Sequence, residues 1–412
     1  MLNLIPEYYL IDNTLKKSVS FKEACFKVRT STYMSSITSK SLAYNCKITL
    51  SHYFSLTYQI FSIFDNLNIE NKETRFLLVY LTHIKYLKDD LNELKESFVN
   101  EINELHLNLD ENDFTKLLNC KEQKLTDENK LLSLSLKYEL PLFLLEILMK
   151  KYKKEELLSI IKNLHGKERH LYINNTENKI VNDKLTAYFC PSIASLNLLS
   201  GKIDNSSQLI EEKKLIKTSL PLLLALSNIK EVFPFTKIIF SNLKAITLPY
   251  SSYLLLKNKT NLQIISFVKN SLYYRKVKEY NNNKNLSTIN APIELIKTYQ
   301  TYKSSNIVIT FGSSSISTNC YDQSILVKFN SKDIESEKKT NLTRLLDTCP
   351  YVENDGYLIY INDSLLDSVN EDVCKEFLNK KGDFYLVKDE NTVSNNDELP
   401  RSYYAIFKRR EK

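Results

Sequence analysis

Five glycines serve all 412 residues of this chain, and none lies between Gly201 and Gly312. Only a residue without Cβ enters positive φ freely or lets a backbone press against a ligand. Where an open α/β sheet binds a nucleotide cofactor, the first strand-to-helix turn usually carries glycines for both reasons. No such turn is visible here, so a glycine-rich phosphate or dinucleotide loop is excluded.

The length predicts two or three domains. Apolar residues make up 43% of the chain, enough to bury real cores. The formal charge of +7 is spread in short runs instead of a tail, which permits an RNA or acidic partner. Seven cysteines, an odd number without a C-x-x-C pair, point to reduced packing thiols instead of a disulfide framework or zinc knuckle. The start lacks the basic region and cleavage site of a signal peptide. The longest apolar runs, such as Leu140 to Met149, fall short of the ~18–20 residues that span a bilayer. The expectation is a soluble, cytoplasmic protein with no membrane contact.

From about Val19 to Leu164 apolar residues recur at helical spacing. The pattern predicts a central buried helix through Tyr53–Phe64 and one long helix over Thr74–Leu94. Pro141 suits the first turn of a helix reaching about Tyr152. After Gly166, Leu171–Asn174 and Thr186–Cys190 read as short strands. Beyond Pro221, strand-length runs at Lys237–Phe240, Leu262–Val268, Asn306–Phe311 and Gly356–Ile361 alternate with helical patterns, as parallel strands with crossover helices do.

That order, with the stretch Leu345–Glu371 above all, resembles the RsmB/Sun (NOP/NSUN-type) ribosomal RNA cytosine-5 methyltransferases. Leu345–Glu371 is similar to the family's helix, turn and strand ending in "K-P-G-G-x-L-V-Y-S-T-C-S-x-x-P-E-E-N-E". Phe384–Val387 and Tyr404–Arg409 resemble its last strands, and Leu171–Asn174 its "L-R-V-N". The resemblance implies a multidomain α+β protein. An all-α NusB-like domain would occupy residues 1–127 and linker helices with a small mixed RNA-binding subdomain 128–222. A class I S-adenosylmethionine (SAM) methyltransferase-like, Rossmann-like domain would occupy 223–412.

The chemistry of that family requires a cysteine thiolate to add to C6 of the base and a second cysteine to help release product. On the resemblance, the first position is Asp363 and the second Ser313, and neither side chain performs the addition. The strand that should end in an acid for the SAM ribose ends in Phe267-Val268-Lys269, and "D-x-C-A-A-P-G-G-K-T" is replaced by Ser241–Tyr250. The implied function is a catalytically inactive, RNA-binding relative that acts on small-subunit ribosomal RNA or ribosome assembly as a monomer without SAM. Two alternatives stand beside it. One is a divergent active cytosine-C5 methyltransferase, with SAM as cofactor and a displaced thiol such as Cys320. The other is a NusB-like protein-interaction factor whose helical module binds a protein partner; ribosome-assembly proteins are further candidate partners.

Tyr273-Tyr274-Arg275-Lys276-Val277-Lys278 interleaves aromatics with cations, as a segment that stacks bases and contacts phosphates does, or as the basic edge of an amphipathic helix does. Lys408–Arg410 with Lys412 reads as a solvated basic end. His165 and His170 lack accompanying acidic or cysteine ligands, so no metal is expected. Cys349 and Cys374 fall at packing positions.

Overall fold

The computed structural model describes residues 2–16, 19–30, 39–120, 130–164, 169–178, 180, 182–204, 207–229, 235–258, 260–293, 295, 304–316, 323–392, 399 and 401–411. The chain forms two compact units, one from Met1–Leu157 with Asp322–Asn330, the other from Leu158–Tyr321 with Ser331–Lys412. No helix among the described residues is long and apolar enough to cross a membrane.

The first unit is helical. Tyr53, Leu56 and Ile60 of helix Tyr53–Phe61 are buried, as are all residues from Phe76 to Thr82 of helix Lys72–Thr82. Phe76, Tyr80, Phe98 and Phe114 stack edge to tilted at its centre. The long helix expected over Thr74–Leu94 is broken. A π turn at His83–Leu87 ends at Lys88, which adopts φ 57°, and helix Leu91–Glu104 starts afresh. The break is built from polar side chains: Asp90 caps Asn92 and Glu93, and buried His83 bonds both Glu7 and Asp89 at 2.7 Å. Pro141 takes the cap position of helix Leu142–Lys151, just before the first turn.

Glu139 reaches the N-terminus of helix Tyr53–Phe61, where it accepts from the Phe54 and Ser55 amides at 2.9 and 3.3 Å. Burial lifts its carboxyl from 4.5 to about 7, against the pull of those hydrogen bonds. Between those values the folded chain holds a proton that the unfolded chain has released, so stability falls as pH rises through the window. Glu139→Gln is expected to flatten that part of the pH profile, measured as urea midpoints from pH 4.5 to 7.5. An unchanged slope would contradict the assignment.

In the second unit, β1 (His170–Asn174), β2 (Leu185–Tyr188), β3 (Leu198–Gly201) and β4 (Leu215–Thr218) form an antiparallel sheet in the order β2-β3-β1-β4. The strand expected at Thr186–Cys190 starts one residue earlier and stops at Tyr188. A seven-stranded sheet follows, from β5 (Phe235–Ser241), β6 (Asn261–Phe267), β7 (Leu286–Ile289), β8 (Ser305–Phe311), β9 (Val352–Asn362), β10 (Phe384–Thr392) and β11 (Ser402–Arg409), in the order β10-β11-β9-β8-β5-β6-β7. The strands β7, β6, β5, β8 and β9 are parallel, while β11 runs antiparallel to both neighbours.

Both faces of the parallel part of this sheet are covered, so strands such as β5, β6, β8 and β9 carry continuous apolar runs, while the edge strand β10 is largely exposed. Ile238, Phe240, Ile309 and Ile361 share a core with helices Leu220–Ser227 and Leu248–Leu256, and with Leu171 and Ile216 of the small sheet. The alternate residues Ile239, Val308 and Tyr360 face helices Ser331–Thr348 and Glu371–Lys380. This is the Rossmann-like fold with a helical N-terminal region that the sequence predicts.

Candidate functional site

Strand order reverses between β5 and β8, and in open α/β sheets ligands bind outside the carboxyl ends of the strands at such a switch point. Two cavities open there. The larger, of 250 Å³, lies between the small sheet and the ends of β8 and β9, and Arg169, Lys217, Thr218, Lys244, Asp363 and Ser402 line it. The smaller, of 180 Å³, lies beyond β5 and β6, lined by Asn242, Phe267, Val268, Lys269 and Tyr273 among others.

Asp363 follows the last residue of β9 and is partly exposed. One carboxylate oxygen meets Lys244 Nζ at 3.0 Å, and the other accepts from Ser402 Oγ at 3.0 Å. Desolvation works to raise its pKa, but the Lys244 ammonium and the two hydrogen bonds prevail and hold it below the usual aspartate value. An ionised carboxylate already bonded on both oxygens is a poor base, and it supplies no sulfur nucleophile.

Ser313 begins the loop after β8, and helix Ser331–Thr348 clamps that loop. Asn341 accepts from the Ser313 amide at 2.6 Å and donates to its carbonyl at 3.0 Å, while Arg344 donates to the Phe311 carbonyl at 2.8 Å. Gly312 allows the close approach. A Cβ there would lie 2.7 Å from both Tyr360 Oη and Asn362 Cγ.

The turn after β5 keeps a left-handed residue without glycine. Asn242 adopts φ 53° and donates to Ser241 Oγ at 3.0 Å. Val268 is buried at the end of β6. Tyr273 and Tyr274 on helix Ser271–Tyr280 pack against the core, while Arg275, Lys276 and Lys278 are exposed. The structure thus brings Asp363 to the larger cavity and Val268 and Tyr273 to the smaller one. Among the described residues no carboxylate lines the smaller cavity.

Burial pushes the Cys349 thiol up to about 11 and the Cys374 thiol up to about 12, so both are packing residues. Cys320 and His165 lie outside the described residues. Among the described residues no cluster of His, Cys, Asp and Glu gathers in a way that would hold a metal ion. Among the described residues no cysteine lines either cavity.

A third hollow, of 750 Å³, runs along the small sheet beside the larger cavity and shares Arg169, His170 and Lys217 with it. Lys184 and Lys202 add two exposed cations, against Asp183 and Asp204. Lys217 Nζ and His170 Nε2 lie within hydrogen-bond distance, at 2.9 Å. Sequence reading missed Lys184, Lys202, Lys217, Thr218 and Lys244 as a set, because they are scattered along the chain and only the strand pairing assembles them.

The fold has counterparts among solved structures. The structure of PH0851 superposes with a TM-score of 0.65 at 15% identity, over 98% of this chain and 99% of that one. A methyltransferase homolog protein from Pyrococcus horikoshii gives 0.51 at 12% identity, over 69% of this chain and 100% of that one. NSun6 from Pyrococcus horikoshii, determined with SFG, gives 0.51 at 12% identity, over 65% and 97%. The likeness shows the fold. No family model matches the chain, and no curated protein does.

Proposed function

We propose that this chain binds RNA through a methyltransferase fold that no longer transfers methyl groups, with small-subunit ribosomal RNA or an assembly intermediate as its partner. The observation that carries the reading is the pair Asp363–Lys244, tied to Ser402. It stands in the switch-point crevice where the resemblance puts the nucleophilic thiolate, and it converts a reactive position into a fixed polar contact. The reading is supported by Ser313 at the position where the resemblance puts the second thiol, and by the lack of a carboxylate among the described residues that line the smaller cavity. SAM is accordingly not its cofactor, and the chain acts in the cytoplasm as a monomer.

The hollow along the small sheet, with Arg169, Lys184, Lys202 and Lys217, supplies the phosphate contacts. A single-stranded segment of a structured RNA fits it best, since protein side chains read such segments more readily than A-form duplex. Arg275, Lys276 and Lys278 offer a second basic edge, with Tyr273 and Tyr274 holding the helix against the core beneath them.

Four cationic contacts on a single strand predict that log K falls with log salt at a slope of about −3, from ~0.7 per contact. Affinity for a ribosomal RNA fragment should therefore drop about fiftyfold between 50 and 200 mM salt, measured by fluorescence anisotropy. Flat salt dependence, or no binding at low salt, would overturn the RNA reading.

A further inference from the structure

His83 is 2% exposed and stands where the helices of the first unit break. Its carbonyl closes the turn, accepting from the Lys88 and Asp89 amides at 2.7 and 3.4 Å. Its ring reaches two carboxylates from different parts of the chain. Nε2 lies 2.7 Å from Glu7 of the N-terminal helix Ile5–Leu15, and Nδ1 lies 2.7 Å from Asp89, just before helix Leu91–Glu104. A carboxylate offers acceptors only, so the doubly protonated imidazolium is the form that satisfies both nitrogens. Burial works to lower the pKa of the ring, but the hydrogen bonds and charges of Glu7 and Asp89 prevail and hold it above the ordinary histidine value. Helix Ser39–Ser51 reaches Glu7 as well. Asn45 Nδ2 donates to its Oε1 at 2.8 Å, and the Cys46 thiol, whose pKa burial raises, donates to its carbonyl. Charged groups of the adjoining helices have partners of their own: Arg75 pairs with Asp12, Lys85 with Gln59, and Glu101 with Tyr80 and the Leu4 amide. Lys88 and Asp90 are exposed.

We propose that Glu7, His83 and Asp89 form a proton-operated clasp within the helical unit. With both ring nitrogens protonated, the clasp ties helix Ile5–Leu15 to the break between helices Lys72–Thr82 and Leu91–Glu104. Loss of one proton turns a ring lone pair toward a carboxylate. On the Glu7 side, where that carboxylate is 3% exposed, a buried charge is left without its partner. The N-terminal helix then opens more often as a local unit. Because the folded value lies above the unfolded one, the clasp is fully closed below the ordinary histidine value of ~6.5 and is lost as pH rises through the raised value.

Nitrogen NMR of isotope-labelled histidine in the full chain reports the protons on each ring. The signal is assigned by His83→Gln or, if that variant does not fold, by replacing the other four histidines, His52, His106, His165 and His170. At about pH 7.5, where an ordinary histidine is roughly nine-tenths neutral, His83 is expected to carry protons on both nitrogens. A neutral ring there overturns the proposal. Glu7→Gln keeps the size and removes the charge, so the His83 titration should move down by about one pH unit or more; an unmoved titration in the folded variant overturns the charge pairing. Hydrogen exchange, corrected for the intrinsic rate, tests the clasp itself. Protection of helix Ile5–Leu15 should fall at least about tenfold as pH rises through the His83 titration, while helix Glu371–Lys380 of the other unit keeps its protection. A Glu139→Gln background removes the other raised carboxyl from the profile. Protection of the N-terminal helix that does not follow the titration overturns the clasp.

Discussion

Gly312→Ala is expected to lower the stability of the α/β unit by about 2–3 kcal/mol, the upper part of the ~1–3 kcal/mol range for forcing extra atoms into a packed core. The new methyl carbon would lie 2.7 Å from Tyr360 Oη and 2.7 Å from Asn362 Cγ, inside any normal contact. Neither neighbour is free to yield. Tyr360 donates to the Val369 carbonyl at 2.9 Å, and Asn362 donates to the same carbonyl and to Asn370. Both side chains are fully buried. Relief must therefore come from the backbone after β8, which Asn341 and Arg344 hold in place. Gly382→Ala is the control, since nothing lies within 4 Å of a Cβ there, and it should change stability by less than about 0.5 kcal/mol. Urea denaturation of the two variants measures the contrast. Equal tolerance at both positions would show that the loop carrying Ser313 is not held as described.

Replacing Lys184 and Lys202 together by Glu is expected to weaken RNA binding at least about a hundredfold at low salt and to reduce the salt slope by about 1.4. Both side chains are exposed on the small sheet's hollow, so the folded unit should be preserved. The two reversals also leave Asp183 and Asp204 unopposed on the same surface. Loss of affinity should be uniform across RNA sequences, because phosphate contacts position a strand without reading it. Anisotropy against salt with native and variant chains measures both numbers. Undiminished affinity would place the RNA surface elsewhere, with the basic edge of helix Ser271–Tyr280 as the next surface to test.

Much of the sheet was legible because buried parallel strands leave uninterrupted β-branched and aromatic runs. Lys237–Phe240, Leu262–Val268, Asn306–Phe311 and Gly356–Ile361 each fall on a strand, displaced by a residue or a few at the ends. The short strands Leu198–Gly201, Leu215–Thr218 and Leu286–Ile289 were not legible. Four residues carry too little periodicity, and their pairing partners are distant in sequence. The helix break at Lys88 was hidden for a different reason. Chain reversals are read from glycine, and here Lys88, His106, Glu139, Lys213, Asn242 and Asp355 adopt positive φ instead. Each such residue costs roughly 1–2 kcal/mol relative to the right-handed region, and this is how so few glycines suffice.

At the candidate site, the strands that precede Asp363, Ser313 and Val268 were legible, since their apolar runs keep the pattern of buried parallel strands. Their surroundings were not. Lys244 and Ser402 lie far from Asp363 in sequence, and only the strand order β11-β9-β8-β5 brings the ends of β5, β9 and β11 to one crevice. The basic hollow is likewise a product of strand pairing, with β3 joining β1 to β2.

The central claim, a methyltransferase fold without methyl transfer, is tested most directly by calorimetric titration of the full chain with SAM. The account predicts no heat beyond dilution, because Val268 and Lys269, which line the cavity beyond β5 and β6, stand where the resemblance puts the acid for the SAM ribose. Saturable binding in the micromolar range, about 8 kcal/mol, would contradict it and direct the search for a nucleophile to Cys320.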